Sequence, residues 1–194
     1  YIVMDDGWSM KQRDAQHRLV PDPVKFPHGI KPVADYMHER GLKLGIYSCA
    51  GVMTCGQYPG SFEHEFIDAE SFASWGVDFL KYDYCFKPRD EVGALLYRRM
   101  GAALANCGRD IVFNACSWGV DNTADWIKST GAHMWRSTVD IMDTWESIKS
   151  LSKRQKELFR FNGQGCFNDM DMLVVGMGGK GNVGLKGCTF EEYR

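Results

Sequence analysis

What this chain lacks narrows its chemistry before any motif is considered. Its seven cysteines, Cys49, Cys55, Cys85, Cys107, Cys116, Cys166 and Cys188, include no CxxC pair, and its five histidines form neither an HxH nor an HExxH pattern. A zinc knuckle or a structural zinc site is therefore a poor organising hypothesis. No apolar stretch approaches the ~20 residues of a membrane span, and no signal-peptide pattern is visible. Charge of one sign does not accumulate either: 23 basic against 25 acidic residues leave a net charge of -2, mixed along the chain. That balance argues against nucleic acid or an anionic membrane surface as partner and favours a small neutral ligand. No linker or low-complexity segment divides the 194 residues, so they read as one domain or part of one.

What is present is a regular alternation. Strand-like apolar runs occur at Ile2 to Met4, Leu42 to Tyr47, Val77 to Tyr82, Ile111 to Asn114 and His133 to Arg136, with a short sixth around Gly165 to Asn168. Helical patterns lie between them, near Ile30 to Arg40, Asp68 to Trp75, Glu91 to Cys107, Asn122 to Lys128 and Thr144 to Leu158. In the third helix Leu96, Met100, Leu104 and Cys107 share a face, and Gly108 supplies the stop. Asp143 followed by Glu146 predicts a capping box that opens the fifth. Strand and helix in alternation imply βαβ units and a parallel sheet, either doubly wound or closed as a (β/α)8 barrel.

Polar residues at the strand ends favour the barrel. Asp5 and Asp6 follow the first strand, Tyr47 ends the second, and Lys81 and Asp83 end the third. Ser117 and Trp118 come just after the fourth, Arg136 ends the fifth, and Asp169 and Asp171 follow the sixth. Contributions from several strand ends to one face characterise a barrel active site. A doubly wound fold more often carries a glycine-rich phosphate loop after its first strand, and Asp5-Asp6-Gly7-Trp8 is not one. Six strands are too few to close a barrel of typically ~250 residues. The chain is thus expected to be an internal piece of a catalytic barrel.

The chemistry concentrates in Val77 to Cys85, an apolar run ending in Lys81, Asp83 and Cys85. Strand alternation puts Lys81 and Asp83 on one side, where the ammonium is expected to keep the carboxylate ionised, as a nucleophile must be. An ion pair of purely structural purpose at a strand end is the alternative.

Six motifs in register resemble glycoside hydrolase family 27, the α-galactosidases and α-N-acetylgalactosaminidases. They are Asp5-Asp6-Gly7-Trp8, Leu44-Gly45-Ile46-Tyr47, Thr54-Cys55, Lys81-Tyr82-Asp83-Tyr84-Cys85, Trp135 to Asp140 and Asn168 to Leu173. The resemblance implies a (β/α)8 barrel from its second to its seventh unit, without the first and last strands and a C-terminal β-domain. It also implies no cofactor or metal, with a small-molecule α-galactoside or oligosaccharide as partner and room for a homo-oligomer in the full-length protein. By resemblance the nucleophile falls on Asp83 and the acid/base on Asp140. This division suits retaining glycosidases, which pair one ionised carboxylate with one protonated carboxyl. Asp140 is accordingly expected in a dry, weakly cationic setting.

Sugar-binding positions map by resemblance to Asp5, Asp6, Tyr47, Lys81, Ser117, Arg136, Asp171 and Met172. The secreted members join the positions of Cys55 and Cys85, which implies a disulfide here in an oxidising compartment. In the family, the position of Ser117 faces the substituent on carbon 2, where serine with a nearby alanine makes room for an N-acetyl group. Val120 takes the second position of that pair and crowds it, so galactose is expected as the main substrate and N-acetylgalactosamine as the second. Met170 stands where many members carry proline, and Val139 where a small residue is usual.

Two other function classes are compatible with parts of the pattern. A silent sugar-binding barrel would keep Asp5, Asp6 and Arg136 while losing a catalytic carboxylate, yet both are present. A Mg²⁺ enzyme could use Asp5, Asp6, Asp169 and Asp171 as oxygen ligands, and full activity in excess EDTA would exclude it. The compartment, cytoplasmic or secreted, is not set by these residues.

Overall fold

The computed structural model describes residues 1–174 and 177. Six strands, β1 (Ile2–Val3), β2 (Leu44–Cys49), β3 (Phe79–Asp83), β4 (Val112–Ala115), β5 (Met134–Arg136) and β6 (Phe167–Asp169), form one sheet in sequential order. Every neighbouring pair is parallel. Sequential order leaves no point at which the sheet reverses direction, which a doubly wound sheet requires. The topology is that of consecutive barrel units, as the strand-end residues imply.

Helices α1 (Lys31–His38), α2 (Glu65–Ser74), α3 (Gly93–Asn106), α4 (Thr123–Trp126) and α5 (Trp145–Leu158) connect the strands. The expected apolar stripe of α3 is core: Leu96 and Met100 are fully buried, and Gly108 at φ +79° ends the helix. Tyr97 packs edge-on to Tyr82 of β3, which seats α3 against the outer face of the sheet. Alternate residues of β3, Lys81 and Asp83, then face the other way.

Most element boundaries shift by one to three residues from the sequence reading, among them those of β2 and α2 and the cap of α5. β2 runs on to Cys49, because Leu42 is consumed in the turn after α1, donating its N–H to the Met37 carbonyl. Helix α2 begins three residues earlier than Asp68, at Glu65. The cap of α5 is Thr144, not Asp143: the Thr144 side chain accepts from Ser147 N–H, and Ser147 Oγ accepts from Met142 N–H at 2.9 Å. Asp143 stands one residue before the cap and is fully buried.

At the opposite end of the strands from the polar cluster, the buried carboxylate Asp78 ties four segments together. It accepts from His38 Nε2 at 2.7 Å, Arg109 Nη2 at 2.6 Å and Leu44 N–H at 2.9 Å. Burial pushes its pKa up, but these hydrogen bonds outweigh it and hold Asp78 below 3.8. A depressed carboxylate stabilises the fold fully above 3.8, and that contribution is lost as pH falls through the lower folded value. Asp78→Ala is expected to cost about 2 to 4 kcal/mol, discounted because the cationic partners are part-exposed. Urea unfolding at pH 7 measures it, and the difference between variant and parent should shrink at pH 3.

Candidate active site

The strand ends carry two clusters, one around Asp83 and one around Arg136. Asp83 is buried at 6% exposure. Its Oδ2 accepts from Tyr47 OH at 2.7 Å and its Oδ1 from Tyr84 N–H at 2.9 Å. Tyr47 is held in turn, its carbonyl accepting from Trp8 Nε1 at 2.8 Å. These donors favour the ionised carboxylate, but desolvation is the larger effect and leaves the Asp83 pKa above its ordinary value.

Lys81 does not take the role expected of it. Its Nζ bonds Asp5 Oδ2 at 2.6 Å, across the width of β2, and reaches Asp83 only through its field. The two side chains share a face of β3, but the Asp83 carboxylate is taken up by Tyr47 and Tyr84 N–H while Asp5 offers the lysine a free oxygen. Burial draws the Lys81 pKa down, and the bond to Asp5 more than restores it. Asp6 closes the loop beyond β2, accepting from Gly56 N–H at 2.6 Å and Gly7 N–H at 2.7 Å.

The loop after β2 lies directly on the end of β3. Ala50 N–H donates to the Asp83 carbonyl and Val52 N–H to that of Phe86, continuing the ladder past both strands. Gly51 is required there, since a Cβ would run into the Cys85 carbonyl. The approach brings Cys55 and Cys85 into a disulfide with Cα atoms 5.3 Å apart. Cys55 Sγ is 3.6 Å from Asp83 Oδ2. Among the described residues the ligand atoms of Cys55, Asp83 and Cys85 lie within 4.8 Å of one another, both sulfurs being committed to the bridge. Asp5, Asp6, Asp169 and Asp171 form no such cluster. Cys49, Cys107, Cys116 and Cys166 are free thiols, and Cys188 lies outside the described residues.

In the second cluster the buried Arg136 guanidinium bridges two carboxylates. Nη2 donates to Asp140 Oδ1 at 2.8 Å and Nη1 pairs with Asp171 Oδ1 at 3.0 Å, while Nε finds no partner among the described residues. Asp171 Oδ2 also accepts from Ile141 N–H at 2.8 Å, so its loop is fixed although Met170 replaces proline; Met170 packs against the Ile141 and Leu151 cluster. The dry, weakly cationic setting expected of Asp140 is not observed. Its side chain is 70% exposed and ion-paired. Val139 is exposed too, so its branch displaces nothing buried.

Ser117 is fully buried with an Oγ that has no partner among the described residues. It opens a loop in which Trp118, Asp121 and Asn122 all adopt positive φ. Gly119, also at positive φ, sits where a Cβ would strike the Ser137 carbonyl. Val120 is 39% exposed at this loop, and Met172 at 61% stands in solvent. Sequence reasoning missed Trp8, Tyr84 N–H and Cys116 as neighbours of the site. Backbone donors carry no residue signature, and nothing in the sequence around Cys116 marks its thiol as a neighbour of Asp83.

The sequence profile of the Alpha galactosidase A family (Melibiase_2) matches residues 1–186. The chain belongs to glycoside hydrolase family 27. Within family 27 it is 48% identical to Alpha-galactosidase 3 of Arabidopsis thaliana, over the whole of this chain and 42% of that protein. It is 45% identical to the Alpha-N-acetylgalactosaminidase of Gallus gallus, over the whole of this chain and 48% of the other. The crystal structure of alpha-galactosidase I from Mortierella vinacea superposes with a TM-score of 0.87 at 34% identity, covering 91% of this chain and 50% of that one. The chain thus spans about half the length of the relatives it matches, and its six strands are part of the family's (β/α)8 barrel. No helix among the described residues is long and apolar enough to cross a membrane.

Proposed function

We propose that the full-length protein is a retaining α-galactosidase in which Asp83 is the nucleophile and Asp140 the acid/base. The observation that carries this reading is the Asp83 carboxylate, buried at the end of a parallel strand with both of its oxygens accepting hydrogen bonds. In the first step an Asp83 oxygen bonds the anomeric carbon as its bond to the leaving oxygen breaks, and Asp140 gives that oxygen its proton. In the second, water attacks the anomeric carbon, Asp140 takes the water's proton, and the Asp83 ester bond breaks. Because Asp83 must be ionised and its pKa is raised by burial, the acid limb of kcat/KM should lie above 3.8, the ordinary aspartate value.

Asp5, Asp6, Lys81, Arg136 and Asp171 offer charged partners to the hydroxyls of a neutral sugar, and Tyr47 lies beside Lys81. Met172 would meet substrate only from the rim. The unpartnered Ser117 Oγ and Arg136 Nε are donors that a bound sugar can satisfy. The relatives named α-galactosidase and the one named α-N-acetylgalactosaminidase support both substrates as the class.

Paired p-nitrophenyl α-galactoside and α-N-acetylgalactosaminide assays on the full-length protein test the reading, galactose being the expected preference. Val120 lies in the loop that Ser117 opens, so Val120→Ala should raise activity on the N-acetyl substrate relative to galactose by roughly ten- to a hundredfold, the scale of overpacking by its γ-methyl groups. An unchanged ratio would mean that carbon 2 is read elsewhere.

A further inference from the structure

The two clusters of the site share one atom that neither the sequence reading nor the family comparison assigns, the sulfur of Cys116. Cys116 directly follows β4, and its N–H donates to the Tyr82 carbonyl at 2.8 Å. Tyr82 pairs with Ala115, so the next step of the register sets Cys116 beside Asp83. The thiol is 1% exposed, stands at the register position next to Asp83, and has its sulfur 3.7 Å from Arg136 Nη1. It therefore has a carboxylate on one side and a guanidinium on the other. A thiol suits such a place, being a weak donor and a weak acceptor at once. Burial first, and then the charge of Asp83, push its pKa up, so it remains a neutral S–H rather than a competing anion.

We propose that Cys116 is a positioning residue for the nucleophile: its thiol donates to the Asp83 carboxylate while its sulfur rests against Arg136, fixing the first cluster relative to the second. The proposal rests on Asp83 being the nucleophile. Tyr47 OH and Tyr84 N–H orient the carboxylate from β2 and from its own strand, and Cys116 adds a contact from the β4 side. The groups facing Asp83 are thus Tyr47, the Cys55 sulfur, Tyr84 N–H and Cys116, with Lys81 acting through its field. A donor to the ionised form lowers a carboxylate's pKa, and its removal raises it.

The test uses the full-length enzyme, an aryl α-galactoside, and kcat/KM measured across pH for Cys116→Ala and Cys116→Ser. Cys116→Ala should lose roughly tenfold in kcat/KM, the scale of one hydrogen bond to a charged group, and its acid limb should move to higher pH. Cys116→Ser keeps a donor, so its limb should lie at or below the parent's pH and most of the rate should return. A limb unmoved in Cys116→Ala, or moved upward in Cys116→Ser, overturns the proposal and leaves the sulfur as packing. If the alanine variant does not fold, the serine variant alone decides by the direction of its limb. Trapping the glycosyl-enzyme with a 2-deoxy-2-fluoro-α-galactosyl substrate separates the two readings. A label on a residue other than Asp83 sinks the nucleophile assignment itself. A label on Asp83 with an immobile limb sinks only the role of Cys116.

Discussion

Asp83→Asn is expected to reduce kcat/KM by roughly four orders of magnitude or more in the full-length enzyme. The amide cannot form the glycosyl ester, and no second carboxylate in the Asp83 cluster can take over: Asp5 is bound to Lys81 and Asp6 to the Gly56 loop. The fold should survive. The amide oxygen can keep the Tyr84 N–H or the Tyr47 OH, and the variant sheds a desolvation penalty. Since burial raises the Asp83 pKa, the charged carboxylate is a cost to the folded state once pH rises through the folded value. At neutral pH the asparagine variant should therefore melt no lower than the parent. Azide should not rescue it with retention. Near-parental turnover of an activated aryl α-galactoside would mean that another residue attacks the sugar.

Asp140→Ala should divide substrates by their leaving groups. For alkyl or sugar aglycones, which must be protonated to depart, kcat/KM should fall by about 10² to 10⁴, the usual yield of general acid catalysis. A dinitrophenyl galactoside needs no such proton, so glycosylation of Asp83 should stay fast while the second step, now without a base, becomes limiting. Azide needs no base and should raise turnover by forming α-galactosyl azide. The exposure of Asp140 makes it reachable by water and by an incoming anion, and its loss releases one of the two carboxylates held by Arg136. An equal loss on good and poor leaving groups, with no azide effect, would reassign Asp140 to holding Arg136 in place.

The six strands were legible because each is an apolar run between helical patterns, and the barrel was legible because nearly every run ends in a polar side chain. Which of those side chains pair was not. Lys81 and Asp83 alternate onto one face by sequence alone, yet the choice of Asp5 over Asp83 depends on Tyr47 and Tyr84 N–H taking up the Asp83 carboxylate. The cap of α5 turned on a one-residue offset between Asp143 and Thr144, finer than periodicity resolves. Asp140 pairs with Arg136 at the i,i+4 spacing, but outside a helix that spacing predicts no contact. Tyr47 bonds Asp83, and its strand runs two residues past the apolar run, because Ser48 interrupts the pattern that ends at Tyr47.

The bridge between Cys55 and Cys85 joins residues 30 positions apart and so closes a ring that contains the whole of α2. Such a ring survives when the chain unfolds. In a chain-entropy view it withholds about 3 to 4 kcal/mol of disorder from the denatured ensemble. Asp83 lies inside the ring, next but one to Cys85, and Tyr47 lies outside it on the Cys55 side, so an unfolded molecule still carries its proposed nucleophile and the phenol that orients it on one tether across the bridge. Refolding in oxidising conditions then begins with that pair already tethered, and reduction lengthens the search that brings β2 and β3 together at the site.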